Sequence, residues 1–114
     1  MVVMEPVTRR VLLDARFPQP RTVDRIEARE IVIQPGFAAG LHVHNGPVVG
    51  CVLDGSVYYQ IEGEPETVLR RGDVFYEPEN ARIARFDATD EGVTFVGYFP
   101  VGPGEEPAIE FPES

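Results

Sequence analysis

Residues Gly36 to Gly55 read GFAAGLHVHNGPVVGCVLDG and hold both histidines of the chain, His42 and His44, two positions apart. In an extended strand successive side chains point to opposite faces, so the two imidazoles share one side, about 7 Å apart along the strand. Such a pair suits a metal site, and equally a histidine general base with a helper. The same stretch is punctuated for β structure. Gly36 and Gly40 frame a loop leading into LHVH, Val48 to Leu53 reads as a strand, Asp54-Gly55 as a two-residue hairpin turn, and Ser56 to Ile61 as the return strand. That register sets Leu53 opposite Ser56, Val52 opposite Val57, Gly50 opposite Tyr59 and Val48 opposite Ile61, and cross-strand partners share a face.

Outward from this stretch the pattern stays β. From Val23 to Gln34 apolar and charged residues alternate, with Ile26 and Ala28 on one parity and Ile31 and Ile33 on the other. Downstream, Glu62-Gly63-Glu64-Pro65 and Arg70-Arg71-Gly72-Asp73 are turns around a short strand, Thr67 to Leu69. Strands are predicted at Val74 to Glu77, stopped by Pro78, and at Arg82 to Phe86 and Val93 to Phe99, with Asp87 to Gly92 between these last two. The 11 Gly and 11 Pro are spread along the chain, and no long window keeps a helical period. Short strands separated by turn chemistry imply an all-β fold, a small antiparallel β-barrel or jelly roll. The expected organisation is an N-terminal arm over 1–22, a barrel over 23–101 and a Gly/Pro/Glu-rich tail over 102–114, in which only Ile109 and Phe111 could dock.

At 114 residues the chain is one domain able to bury about two thirds of its unfolded surface. A formal charge of −9 argues against nucleic acid and anionic membranes, both of which are held by surplus Lys and Arg. Cys51 is the one cysteine, too few for a disulfide or a thiolate cluster, and its neighbours Val49, Val52 and Leu53 mark it as a small core residue. MVVMEPVTRR lacks the form of a signal peptide, and no apolar run approaches the ~20 residues of a membrane span. The expectation is a cytoplasmic protein, monomer or homodimer, with a small-molecule substrate.

Two motifs carry a family resemblance. Gly36, five residues, His42-Val43-His44, three residues, Val48, six residues and Gly55 form the first; Gly72, five residues, Pro78-Glu79-Asn80, two residues, Ile83, three residues and Asp87 form the second. In spacing the chain resembles the cupin superfamily over about residues 24 to 99. Metal-bearing cupins carry a glutamate where this chain has Val48 and a histidine where it has Ile83, and there the two complete the site with the histidine pair. The resemblance therefore implies the fold, while two of the four family ligands are hydrocarbon here.

A catalytic metal site uses three protein ligands and an open position. A third ligand would have to come from Glu77, Asp87, Tyr59 or Gln60, so the expectation is no resident cofactor, with weak or adventitious divalent metal held by His42 and His44. A metal-free histidine can take and return a proton near neutral pH. The candidate catalytic residues are His42, nearer the loop end and taken as the base, with His44, Tyr59 and Glu77 as donors. Gly50, Arg85, Asp87 and Arg16 are the candidate substrate-binding residues: Gly50 leaves room opposite Tyr59, Arg85 and Asp87 share a strand face, and Arg16 on the arm could reach the mouth. Retaining the His pair without the other ligands, the chain is similar to small metal-independent cupin dehydratases of nucleoside-antibiotic assembly. That similarity implies a lyase acting on a sugar or nucleoside aldehyde: proton removal next to the carbonyl, then expulsion of the β-hydroxyl. The alternatives are a metal-dependent dioxygenase or isomerase with an atypical third ligand, and a non-catalytic binding cupin.

Overall fold

The computed structural model describes residues 5–112. Residues 1–4 of the expected arm and 113–114 of the expected tail lie outside the described residues. There is no helix among the described residues, and thus none long and apolar enough to cross a membrane. Seven strands follow in order: β1 Arg25–Ile33, β2 Val43–His44, β3 Val48–Ile61, β4 Thr67–Arg70, β5 Val74–Glu77, β6 Ile83–Val101 and β7 Ile109–Glu110.

Two long antiparallel strands, β3 and β6, form the spine. The first half of β3 lies between β5 and the second half of β6, and β1 pairs on the far side of β6, from Arg25↔Val101 to Ile33↔Val93. The second half of β3 lies between β4 and the first half of β6. Beyond that half of β6, the bridges Ala38↔Asp87 and His42↔Ile83 attach the loop before β2. The two halves face one another across a core of Val52, Val57, Phe75, Ile83, Phe86, Ala88, Val93 and Phe95. The Phe86 and Phe95 ring centroids are 4.9 Å apart, and those of Phe75 and Phe86 5.2 Å. Each such side chain contributes about 1.5–3 kcal/mol when fully buried. The fold is all-β and of jelly-roll type, but β1 and β4 each pair on one side only, so the sheet does not close into a barrel.

The structure corrects the expected hairpin at Asp54-Gly55. The chain does not reverse there; β3 runs on through it, with register shifts between Val52 and Asp54 and between Gly55 and Val57. Gly55 and Gly92 both have positive φ, 74° and 72°, and a Cβ on Gly55 would lie 2.0 Å from the Gly92 carbonyl oxygen. The glycine allows two crossing strands to touch at a corner, a bulge rather than a turn. An uninterrupted strand would send Val52 and Val57 to opposite faces, yet both are buried. The bulge reverses the parity, so Val48 and Val52 point inward before the corner and Val57 and Tyr59 after it. Likewise Asp87 to Gly92 is not all loop: Asp87↔Tyr58 and Ala88↔Val57 keep β6 paired as far as Ala88, and pairing with β3 resumes at Val93, after the bend at Gly92. Reversals do occur at the two other predicted turns, where Gly63 and Gly72 take φ of 87° and 89°.

Candidate functional site

His42 and His44 do share a face, their rings edge to face with centroids 5.1 Å apart. Each is placed by pairing. His42 exchanges backbone hydrogen bonds with Ile83, and His44 is the partner of Ile109 in the short β2–β7 ladder. Strand β5 alternates outward Val74 and Tyr76 with inward Phe75 and Glu77, which brings the Glu77 carboxylate to the same point. Its Oε2 lies 2.9 Å from His44 Nε2 and 3.6 Å from His42 Nε2. His42 and Glu77 are each only 3 % exposed.

The hydrogen bonding around this cluster is incomplete. His42 Nδ1 lies 2.9 Å from the Gly40 carbonyl oxygen and donates to it, which leaves Nε2 directed at Glu77. Glu77 Oε2 is buried and, although His44 Nε2 lies 2.9 Å away, it has no fully formed hydrogen bond. Burial works against charge on both groups, but proximity wins. The two imidazoles hold the Glu77 carboxyl below its usual range. The Glu77 carboxylate, the Gly40 carbonyl and Asp87 raise the His42 imidazole above its usual value.

One ligating atom from each of His42, His44 and Glu77 falls within a 4.8 Å span. Two ligands about 2.1 Å from one ion at tetrahedral or octahedral angles stand about 3.0–3.4 Å apart, close to the two histidine–carboxylate distances. Two imidazoles, one carboxylate and a buried oxygen lacking a donor fit a divalent first-row metal. Asp87, also considered as a third ligand, serves the site indirectly. Its Oδ1 accepts from Gly40 N at 3.4 Å, tethering the loop whose carbonyl orients His42.

The other candidate residues lie elsewhere. Gly50 leaves no room for substrate, because a Cβ there would sit 2.2 Å from Cζ of Phe75, whose ring covers it. With no hairpin, Gly50 and Tyr59 are nine positions apart on one strand and do not face each other. The Tyr59 hydroxyl donates to the Tyr76 carbonyl at 2.6 Å, its ring packs between Phe75 and Phe86, and burial followed by the Glu77 charge pushes its phenol above the ordinary range. Arg85 pairs with Asp87 and Glu66 and lies over the Tyr58 ring, on the outward face. Gln60 donates to the Glu64 carbonyl oxygen. Arg16 is exposed on the arm.

Sequence reasoning passed over most of the walls. Ile31 and Ile33 of β1, Phe75 of β5, Phe86, Phe95 and Phe99 of β6, and Ile109 of the tail line the cavity that opens onto the cluster. The inward parity of β5, shared by Phe75 and Glu77, was the available signal. Arg21 was also missed; its guanidinium joins Glu79 at 2.6 Å and Glu105 at 3.2 Å, tying the arm to the tail, and nothing in its sequence surroundings marks it.

A jelly roll with a His-x-His pair and a carboxylate at the end of an apolar cavity defines a class of small-molecule β proteins. The chain belongs to the cupin family, whose cupin-domain model matches residues 29–95, more than half its length. Similar solved structures include a cupin-like protein from Thermotoga maritima, 30 % identical over 65 % of this chain and 56 % of that one, with a TM-score of 0.59. The DMSP lyase DddQ from Ruegeria pomeroyi is 20 % identical over 78 % of this chain and 45 % of its own, with a TM-score of 0.67. Oxalate oxidase in complex with glycolate is 21 % identical over 75 % and 45 %, with a TM-score of 0.63. The chain thus spans about half the length of these proteins, and the likeness to the two enzymes concerns the fold. No curated protein sequence matches it.

Proposed function

We propose that the chain is a small-molecule enzyme in which His42, His44 and Glu77 hold a divalent first-row transition metal. The observation that carries this is the buried Glu77 Oε2, without a well-formed hydrogen bond and 2.9 and 3.6 Å from two imidazole nitrogens. A buried carboxylate oxygen left so is costly, and a shared cation removes the cost. When bound, the metal supplies Lewis-acid polarisation of a substrate oxygen. The protein groups do the rest: Gly40 fixes the His42 tautomer and ring, Asp87 holds Gly40, and the hydrocarbon walls exclude water.

The second reading is metal-free acid–base chemistry, the dehydration of a sugar or nucleoside aldehyde. It is favoured by the Nδ1–Gly40 hydrogen bond, which presents His42 Nε2 as a base. His42 would take the proton next to the aldehyde, and the resulting enolate would expel the β-hydroxyl as water, with a proton from His44.

Elemental analysis of untagged protein after mild dialysis separates the two. About one transition metal per chain is expected on the first reading. Metal-free protein that dehydrates such aldehydes, and loses this in His42→Gln, would replace it with the second.

A further inference from the structure

The cavity that opens onto His42, His44 and Glu77 is polar at one end and hydrocarbon everywhere else. Beyond those three, no polar side chain among the described residues lines its walls: Ile33, Phe75, Phe86, Phe95, Phe99 and Ile109 supply much of the surface. The volume is about 140 Å³. An apolar cavity of ~150 Å³ in another protein stays dry and takes benzene, so this space holds about one six-membered ring.

A nucleoside has two ring systems and several hydroxyl and amide groups. Each such group buried against hydrocarbon without a partner costs about 1–3 kcal/mol. The walls offer none of the hydrogen bonds that a sugar ring requires. An anionic end directed at Glu77 alone would meet like charge, and a cation between them turns that repulsion into attraction.

We infer that the site takes a compact ligand with an apolar, ring-sized body and a single oxygen function, carried at the end that meets His42, His44 and Glu77. The oxygen end rests on the metal-holding reading of the site. The apolar body follows from the walls alone.

The test uses the whole chain loaded with cobalt(II), its metal content measured by elemental analysis, and titrated calorimetrically with benzoate, acetate and uridine. Metal-free protein is separately exposed to toluene while its Tm is followed. Benzoate is expected to bind about tenfold or more tightly than acetate, which has the same carboxylate and no ring, and uridine to give no binding heat. Toluene is expected to raise the Tm of the metal-free protein. Ile109→Gln, at a position 47 % exposed where the fold tolerates change, is expected to keep its cobalt and lose the preference for benzoate. Acetate or uridine binding as tightly as benzoate overturns the inference. So does protein that takes up cobalt yet gives no heat with benzoate and, when metal-free, no rise in Tm with toluene, while its metal content upholds the metal-holding reading. Protein that refuses cobalt but gains Tm with toluene overturns that reading and upholds the apolar body.

Discussion

Val48 and Glu77 are direct partners across the antiparallel ladder that joins β3 to β5. Both are 3 % exposed and both border the same cavity. Partners in such a ladder have Cβ atoms about 4.5–5.5 Å apart on one face of the sheet. Position 48 is where the cupin motif carries its glutamate, so this chain has its carboxylate one strand over, aimed at the same histidines.

That relationship makes a reciprocal exchange testable. Glu77→Val is expected to weaken cobalt binding on the order of 100-fold, since it removes one of three ligands. Adding Val48→Glu to it returns a carboxylate to the same face, and affinity is expected to recover to within about tenfold of the original. Competition against a chelator reads both. If the double variant binds no better than Glu77→Val alone, the face-sharing argument fails.

Stability against pH gives a second prediction, made for metal-free protein as the difference between wild type and Glu77→Gln. The lowered Glu77 value contributes stability that is fully present above its ordinary 4.5 and is lost as pH falls through the lowered value. The raised His42 value contributes stability that is fully present below its ordinary 6.5 and is lost as pH rises through the raised value. The difference is therefore expected to be largest between those two ordinary values and to shrink toward both extremes. Bound metal reverses the alkaline side, because it needs deprotonated imidazoles and its contribution grows as they lose protons. Urea midpoints at acid, intermediate and mildly alkaline pH, with and without chelator, measure this. A difference that climbs steadily with pH in chelator would contradict a carboxylate–imidazolium pair.

Much of this site was legible in the chain, and the misreadings have physical causes. The period of a strand put His42 and His44 together, and motif spacing placed Val48 and Ile83 where two family ligands would stand. The shared face of Val48, Gly50, Val52, Val57, Tyr59 and Ile61 was reached through a hairpin that does not exist. A two-residue turn and a bulge both change side-chain parity across Asp54-Gly55, so the face came out right and the topology wrong. What pattern could not supply was packing at a distance: that the Phe75 ring covers Gly50, that Glu77 lies beside Val48, and that the tail returns to pair with His44.

The corner at Gly55 separates those two topologies by experiment. Alanine at Gly63, in an open turn with φ of 87° and nothing within 4 Å of an added Cβ, meets only the left-handed dihedral. That costs about 1–2 kcal/mol. Alanine at Gly55 meets the same dihedral and also the Gly92 carbonyl at 2.0 Å, which is backbone and yields little. Gly55→Ala is expected to cost about 3 kcal/mol or more, the clash adding to the dihedral. Equal urea midpoints for the two variants would restore the hairpin reading.

Asn45 controls a different property, the attachment of the tail. Its side-chain NH₂ donates to the Glu106 carbonyl at 2.8 Å, its side-chain oxygen accepts from Ala108 N at 2.8 Å, and its backbone N–H donates to the Ala108 carbonyl at 3.1 Å. These bonds hold the two-residue β7 against β2 and so place Ile109 in the cavity wall and the Phe111 ring 6.3 Å from His42. Asn45→Ala removes two of the three. Each is worth about 1 kcal/mol or less at an exposed position, enough to open so short a ladder by about tenfold and too little to unfold the domain. Amide exchange at Ala108 and Glu110 is expected to accelerate by about that factor, with the amides of β3 and β6 unchanged. Since Ile109 is a wall of the site, ligand dissociation should quicken with it. Unchanged exchange at Ala108 would mean that packing of Ile109 and Phe111, rather than the Asn45 bonds, holds the tail in place.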